Sequence, residues 1–283
     1  MIEYESDCFE DCLDEQNIEE TPNYLEEFKA WVKDNKKLPK TISDAFLMRF
    51  LKVCDNDLPK AQKLLMLNYQ LRTSAPNLFT KRDIKAREIQ MAADIMHYFS
   101  LEKRTKDNYK VTVSKIHNTD ANKFNYFELI KAALMILDTR FAEYDYDNKI
   151  ADGDIMITDM KGMSFRHLLK MMRAFSVAKF YMKYLQESTP IRVVQVHIIN
   201  PSSNVYRMFS MMRPFMTKEL LDVFHIHSNG YEALYDYVPK ELLPTEYGGT
   251  SGVTVDECHK EFIKRTEKNR DFLLNDDNWR FQK

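Results

Sequence analysis

The chain has 283 residues, 44% apolar and 30% charged, enough for a full core in one large or two ordinary domains, which excludes collagenous and low-complexity classes. Six glycines and nine prolines are too few for a multi-hairpin β protein, and the acidic N-terminus lacks the basic and apolar regions of a signal peptide, so a cytoplasmic protein is expected. The net charge of −2 conceals a segregation: residues 1–28 carry eleven acidic groups and no Lys or Arg, residues 29–106 sum to +9, and residues 107–283 are neutral.

In chain order, residues 1–23 read as an acidic, disordered arm with too little apolar surface to offset chain entropy. Cys8 and Cys12 in this arm have no further Cys or His nearby, and with Cys54 and Cys258 they form no disulfide framework, so reduced thiols are expected. Thr21 as N-cap and Pro22 at the first position predict a helix start, and Leu25, Phe28, Trp31 and Val32 form its apolar stripe. Helices follow over 43–53 and 57–73, so that 24–95 reads as a small helical module. From about residue 106 the pattern changes. Strands are predicted over 110–117, 154–158 and 191–199, alternating with helices over 125–144 and 164–186. This order predicts an α/β domain over 96–252 with a mixed, largely parallel sheet. A last helix over 254–274 lies in a C-terminal segment, 253–283.

The six glycines fit neither a phosphate loop nor a dinucleotide fingerprint, and there is no nucleophile elbow. Asp154 and Asp159 flank a strand without an acid–base partner. His225 and His227 would share a face on a strand, but no further ligand completes a metal site, and His197 reads as a core histidine. No catalytic group, cofactor or metal is expected, and the basic segment lacks the interleaved aromatics of a nucleic-acid surface. That same segment suits an anionic membrane, for which the acidic arm would compete. Within 200–222, Val205, Met208, Phe209 and Met212 recur at helical spacing, followed by Met216. Pro214 should bend or restart this helix, and its methionine-rich face suits a surface that closes over varied apolar guests.

The run VHIINPSSNVYRMFSMMRPFMTKELLDVFHIH, followed by YVPKELLPTEYGGTSG, resembles the lipid-binding core of the CRAL-TRIO, or Sec14-like, family. DAFLMRFLKVCDNDLPKAQKLLMLNYQLR resembles its helical N-terminal module, and GDIMITDMKGMSFRHL its strand–Asp–x–x–Gly–helix segment. The likeness runs collinearly over 24–274 and is greatest to the tocopherol-transfer and retinaldehyde-binding group. It implies a sheet flooring a lipid cavity closed by a gate helix, in a non-enzymatic monomeric carrier of a tocopherol-, retinoid- or isoprenoid-like ligand that meets membranes transiently. A phospholipid or phosphoinositide transfer protein is the alternative. Matched segment by segment, the cavity should be lined by Leu129, Ala132 and Ile136, by Met156 and Thr158, and by Phe165, Leu168, Phe180, Tyr184 and Leu185. Val194, Val196 and Ile198 should form the floor, and Val205, Met208, Phe209, Met212 and Met216 the gate. Thr158 and Tyr184 are the polar groups expected to orient a ligand head. Of the family's basic head-group cleft only Arg192 is matched, with Arg213 and Lys218 close in sequence.

Overall fold

The computed structural model describes residues 23–145 and 149–282. The acidic arm, with Cys8, Cys12, Thr21 and Pro22, lies outside the described residues. Helix α1 (Tyr24–Asp34) starts after Asn23, whose side chain accepts from the Glu26 amide. Ser43 and Asp57 cap α2 (Asp44–Val53) and α3 (Leu58–Ser74) in the same way, satisfying amides that would otherwise lack partners. Short α4 (Pro76–Phe79) and α5 (Arg87–Ile95) complete the module. Its apolar faces meet around Phe28, Leu47, Phe50 and Leu65, and Phe141 from the α/β domain enters the same core.

The chain passes straight from α5 into β1 (Met96–Ser100), a strand the sequence pattern did not reveal. The sheet runs β1-β2-β3-β4-β5, with β2 (Tyr109–Ile116), β3 (Gly153–Asp159), β4 (Val193–Ile199) and β5 (Phe224–His227). β1 is antiparallel to β2 and the other pairs are parallel, as expected of a mixed, largely parallel sheet. α6 (Tyr126–Phe141) connects β2 to β3, and α7 (Phe165–Arg173) with α8 (Phe175–Glu187) connects β3 to β4. The helix expected over 164–186 is broken at Ala174, which leaves helical geometry at φ −105°, ψ 30°. Between β4 and β5 lie α9 (Ser203–Met212), a 3₁₀ turn at Arg213–Phe215 containing Pro214, and α10 (Lys218–Asp222). The expected last helix divides at Asn269 into α11 (Val255–Lys268), opened by a Thr254–Glu257 capping box, and α12 (Arg270–Leu274).

Strand alternation gives the sheet two distinct faces. Val111, Val113, Ile155, Ile157 and Ile199 face Leu234, Val238, Leu243 and Tyr247 in a closed core. Thr112, Ser114, Met156, Thr158, Val196 and Ile198 face the other way. Val194, expected beside Val196 and Ile198, instead packs in the closed core. The cause is a bulge: Asp154 pairs with Val193 and Ile155 with Gln195, so Val194 is the unpaired extra residue and alternation shifts by one. Gly153 makes room for it, since a Cβ there would lie 2.6 Å from Val194 Cγ1.

Buried ion pairs fasten the helical module to the α/β domain. The Asp138 carboxylate on α6 accepts from Arg72 at 2.6 and 3.0 Å and from Arg82 at 2.6 Å. Arg49 donates to Asp145 at 3.1 Å, and within the α/β domain Arg140 reaches Asp154 at 2.6 Å. The C-terminal segment returns to this junction: the Arg82 guanidinium lies 3.7 Å over the Trp279 ring, and the Phe281 amide donates to Thr73.

Candidate ligand-binding cavity

On the second face of the sheet, between the strands and α6, α8 and α10, lies a cavity of about 420 Å³. This falls within the range of roughly 300–1,000 Å³ typical of small-molecule sites. Met156, Val196 and Ile198 form its floor, Ile136 and Leu185 line helical walls, and Leu220 and Phe224 close the side nearest β5. Six of the expected lining residues are thus brought together: Ile136, Met156, Thr158, Leu185, Val196 and Ile198.

The others lie elsewhere. Leu129 and Ala132, one to two turns before Ile136 on α6, pack in the core shared with α4 and α5, beyond the residues of α6 that line the cavity. Phe180 packs against that core, its ring 6.4 Å from that of Phe79. Tyr184 is fully buried; its hydroxyl accepts from Asn68 at 3.1 Å and its ring lies 5.7 Å from the Arg72 guanidinium, so it serves the domain junction. Phe165 and Leu168 line an open groove between α7 and α9, where Phe165 is 50% exposed.

The expected gate residues sit one layer further out. Val205 and Met208 pack against Val196 and Ile198, and Met212 and Met216 are buried. Phe209 stacks on Phe224, with centroids 4.9 Å apart, so α9 backs the cavity wall through Phe224 and Leu220. Two hydrogen bonds from one side chain hold this segment against α8. Gln186 on α8 accepts from the Thr217 amide at 2.7 Å and donates to the Phe215 carbonyl at 2.9 Å. The Phe215 ring meets Phe175 edge-on at 5.5 Å, and Lys179 lies 4.8 Å over it.

A polar row crosses the otherwise apolar floor. Ser100 and Thr112 share a hydrogen bond of 3.1 Å, and Ser114 donates to Thr158 at 3.0 Å, so four lining hydroxyls follow each other across β1, β2 and β3. Sequence reasoning found only Thr158. The others need the β1–β2–β3 register, although Thr112 and Ser114 already alternate with Val111 and Val113. Tyr98 and Tyr181 also reach the cavity; burial pushes the Tyr181 phenol up to about 12, so it remains a hydrogen-bond donor. At one end Arg140 is neutralised by Asp154 and Asp145, which leaves the cavity without an unpaired cation there.

The basic residues expected for a head-group cleft are not gathered at one point. Arg192 bonds to Asp55 and lies 3.3 and 3.4 Å from the carbonyls of Val53 and Lys52, where it caps the end of α2. Arg213 and Lys218 are exposed, on the 3₁₀ turn and at the start of α10. His197, fully buried, donates from Nε2 to Gln195 and accepts at Nδ1 from His227 Nε2 at 2.9 Å; burial pushes it down to about 4, so it is neutral and satisfied. No helix of the described residues is long and apolar enough to cross a membrane.

This arrangement has relatives. The CRAL/TRIO domain family matches residues 96–249, and the Pinta-like, UBA domain family matches residues 17–89. Clavesin-1 of Xenopus laevis is 24% identical over 209 residues, covering 73% of this chain and 61% of its own length. Alpha-tocopherol transfer protein-like of Homo sapiens is 26% identical over 222 residues, covering 78% of this chain and 62% of its own length. The chain therefore spans about three fifths of these relatives. The crystal structure of Sfh5 superposes with a TM-score of 0.51 at 12% identity, covering 89% of this chain and 93% of that one, which shows the shared fold. With that fold and a match across more than half its length, the chain belongs to the CRAL/TRIO domain family.

Proposed function

We propose that the protein binds one small, largely apolar ligand and transfers it, without catalysing a reaction. The observation that carries this reading is the cavity of about 420 Å³, lined mostly by apolar side chains, with a row of hydroxyls across its floor. A guest burying about 400 Å² of apolar surface gains on the order of 10 kcal/mol at about 25 cal/mol per Å². Association costs of several kcal/mol reduce this to a useful, reversible affinity. The hydroxyl row suits a ligand with a single hydroxyl, aldehyde or ester group on a tocopherol-, retinoid- or isoprenoid-like body.

Release requires the α9–α10 segment to swing away from Phe224 and Leu220. Beside it, Phe165, Leu169, Met172 and Tyr206 are exposed, with Arg166, Arg173 and Arg207 on the same helices. An apolar patch fringed by cations supports transient contact with an anionic membrane surface during transfer. The engagement of Arg192 with Asp55 and α2 favours this carrier over a phosphoinositide head-group binder.

Extraction of the purified protein into organic solvent, followed by mass spectrometry, tests the reading. It predicts one largely apolar small molecule per chain, or stoichiometric uptake of such a molecule when it is supplied. A chain that carries and takes up only phosphoinositides, or nothing, would overturn it.

A further inference from the structure

Away from the cavity, at the β1 edge of the sheet, three histidines and an aspartate converge. His97 on β1 stacks against His117, which follows β2, with ring centroids 3.9 Å apart. The pairing explains this: His97 lies opposite Lys115, and the His117 amide donates to the Ile95 carbonyl, so the two histidines are diagonal neighbours across an antiparallel pair. Asp256 enters from the first turn of α11, whose start is fixed by the Thr254–Glu257 capping box. Its Oδ1 lies 3.4 Å from His97 Nδ1 and 3.8 Å from His117 Nδ1.

We propose that His97, His117 and Asp256 form a binding site for a borderline divalent metal ion such as Zn²⁺. Their three ligand atoms all lie within 4.8 Å of one another. Zinc bonds of about 2.0–2.2 Å at tetrahedral angles separate ligand atoms by about 3.4 Å, close to the distances found. His97 is 94% buried by its 6% exposure, and its Nδ1 has no hydrogen-bond partner among the described residues although it faces the Asp256 carboxylate. A buried imidazole nitrogen left without a partner is costly, and a metal ion would satisfy it. His259 stacks on the far side of His97 at 4.0 Å and accepts from the Tyr98 amide at 3.3 Å, so it is a positioning residue that fixes the His97 ring plane. A metal ion sits near the plane of each ligating ring, whereas the rings of His97 and His117 are 13° from parallel. Ligation therefore turns the His117 ring, whose side chain is 42% exposed, out of the stack. Water completes the coordination, and the ion ties α11 to the sheet edge.

Calorimetric titration of the full chain with Zn²⁺ alone tests the site, in a His225→Gln/His227→Gln background that removes the half-buried imidazoles on β5 and leaves an amide that can still donate to His197. One Zn²⁺ per chain is expected, with affinity falling at least tenfold in both His117→Ala and Asp256→Asn. These side chains are exposed enough to be replaced without disturbing the core, and unchanged thermal unfolding without Zn²⁺ checks that. Co²⁺ should bind in the same place with visible absorption but no thiolate charge-transfer band. Absence of binding, an affinity in either variant equal to that of the parent background, or a thiolate band from the cysteines would overturn the proposal.

Discussion

The Gln186 clasp offers the most direct handle on release. Gln186→Ala removes the bonds to the Thr217 amide and the Phe215 carbonyl, both made only when the α9–α10 segment lies against α8. A neutral hydrogen bond contributes about 0.5–1.5 kcal/mol net, and both of these lie at the surface, so the pair is worth about 1–2 kcal/mol to the closed state. At about 1.4 kcal/mol per tenfold, opening becomes about 5- to 30-fold more favourable. Stopped-flow release of a fluorescent apolar ligand into acceptor vesicles should accelerate by that factor, and because the closed form is the native ground state, denaturant unfolding should lose about the same 1–2 kcal/mol. Gln186→Glu keeps the acceptor for Thr217 and loses the donor for Phe215, so its release rate should fall between the two. An unchanged release rate in Gln186→Ala would refute the gating role of this segment.

Two further predictions concern the domain junction. Asp138→Ala leaves Arg72 and Arg82, both essentially without solvent exposure, facing each other uncompensated, and should cost about 3–5 kcal/mol in denaturant titration. A cost under about 1 kcal/mol would mean that water reaches this junction. For Asp145, burial alone would raise the carboxyl, but the Arg140 and Arg49 guanidiniums hold it well below the usual carboxylate range. A depressed folded value means that stability is fully present above the unfolded value of about 3.9 and is lost as pH falls through the folded one. The stability difference between the native chain and Asp145→Asn should therefore be constant near neutrality and shrink below about pH 4. A difference that persists unchanged into strong acid would contradict the pairing.

Much of this architecture could be read from local chemistry. The helices expected from 43, 57 and 125 start within a residue of those positions, where Ser43, Asp57 and Asn125 each cap a free amide. Pro214 marked the break between α9 and α10 because it cannot continue a helical hydrogen-bond ladder. Strand β1 escaped notice because its five residues follow α5 without a turn, and only pairing with β2 makes them a strand. The cavity floor was legible in Met156, Thr158, Val196 and Ile198, whereas Val194 was misplaced because a bulge depends on the neighbouring strand. Tyr184 read as a ligand contact because its competition for Asn68 and Arg72 lies 116 and 112 positions away in sequence.

The charge segregation also acquires a structural meaning. Arg49, Lys52, Arg72 and Arg82 of the basic module pair with Asp145, Asp152 and Asp138 of the α/β domain. Part of the module's positive charge is therefore spent at the domain junction and is not free for a membrane.

The central claim is that the space above Met156, Val196 and Ile198 holds the ligand. Met156→Trp places bulk into that space from a half-buried position on β3. Native mass spectrometry after incubation with a tocopherol- or retinoid-like molecule measures occupancy directly. The account predicts one ligand per native chain and none in Met156→Trp, with thermal unfolding little changed between them; equal occupancy in both proteins would contradict it.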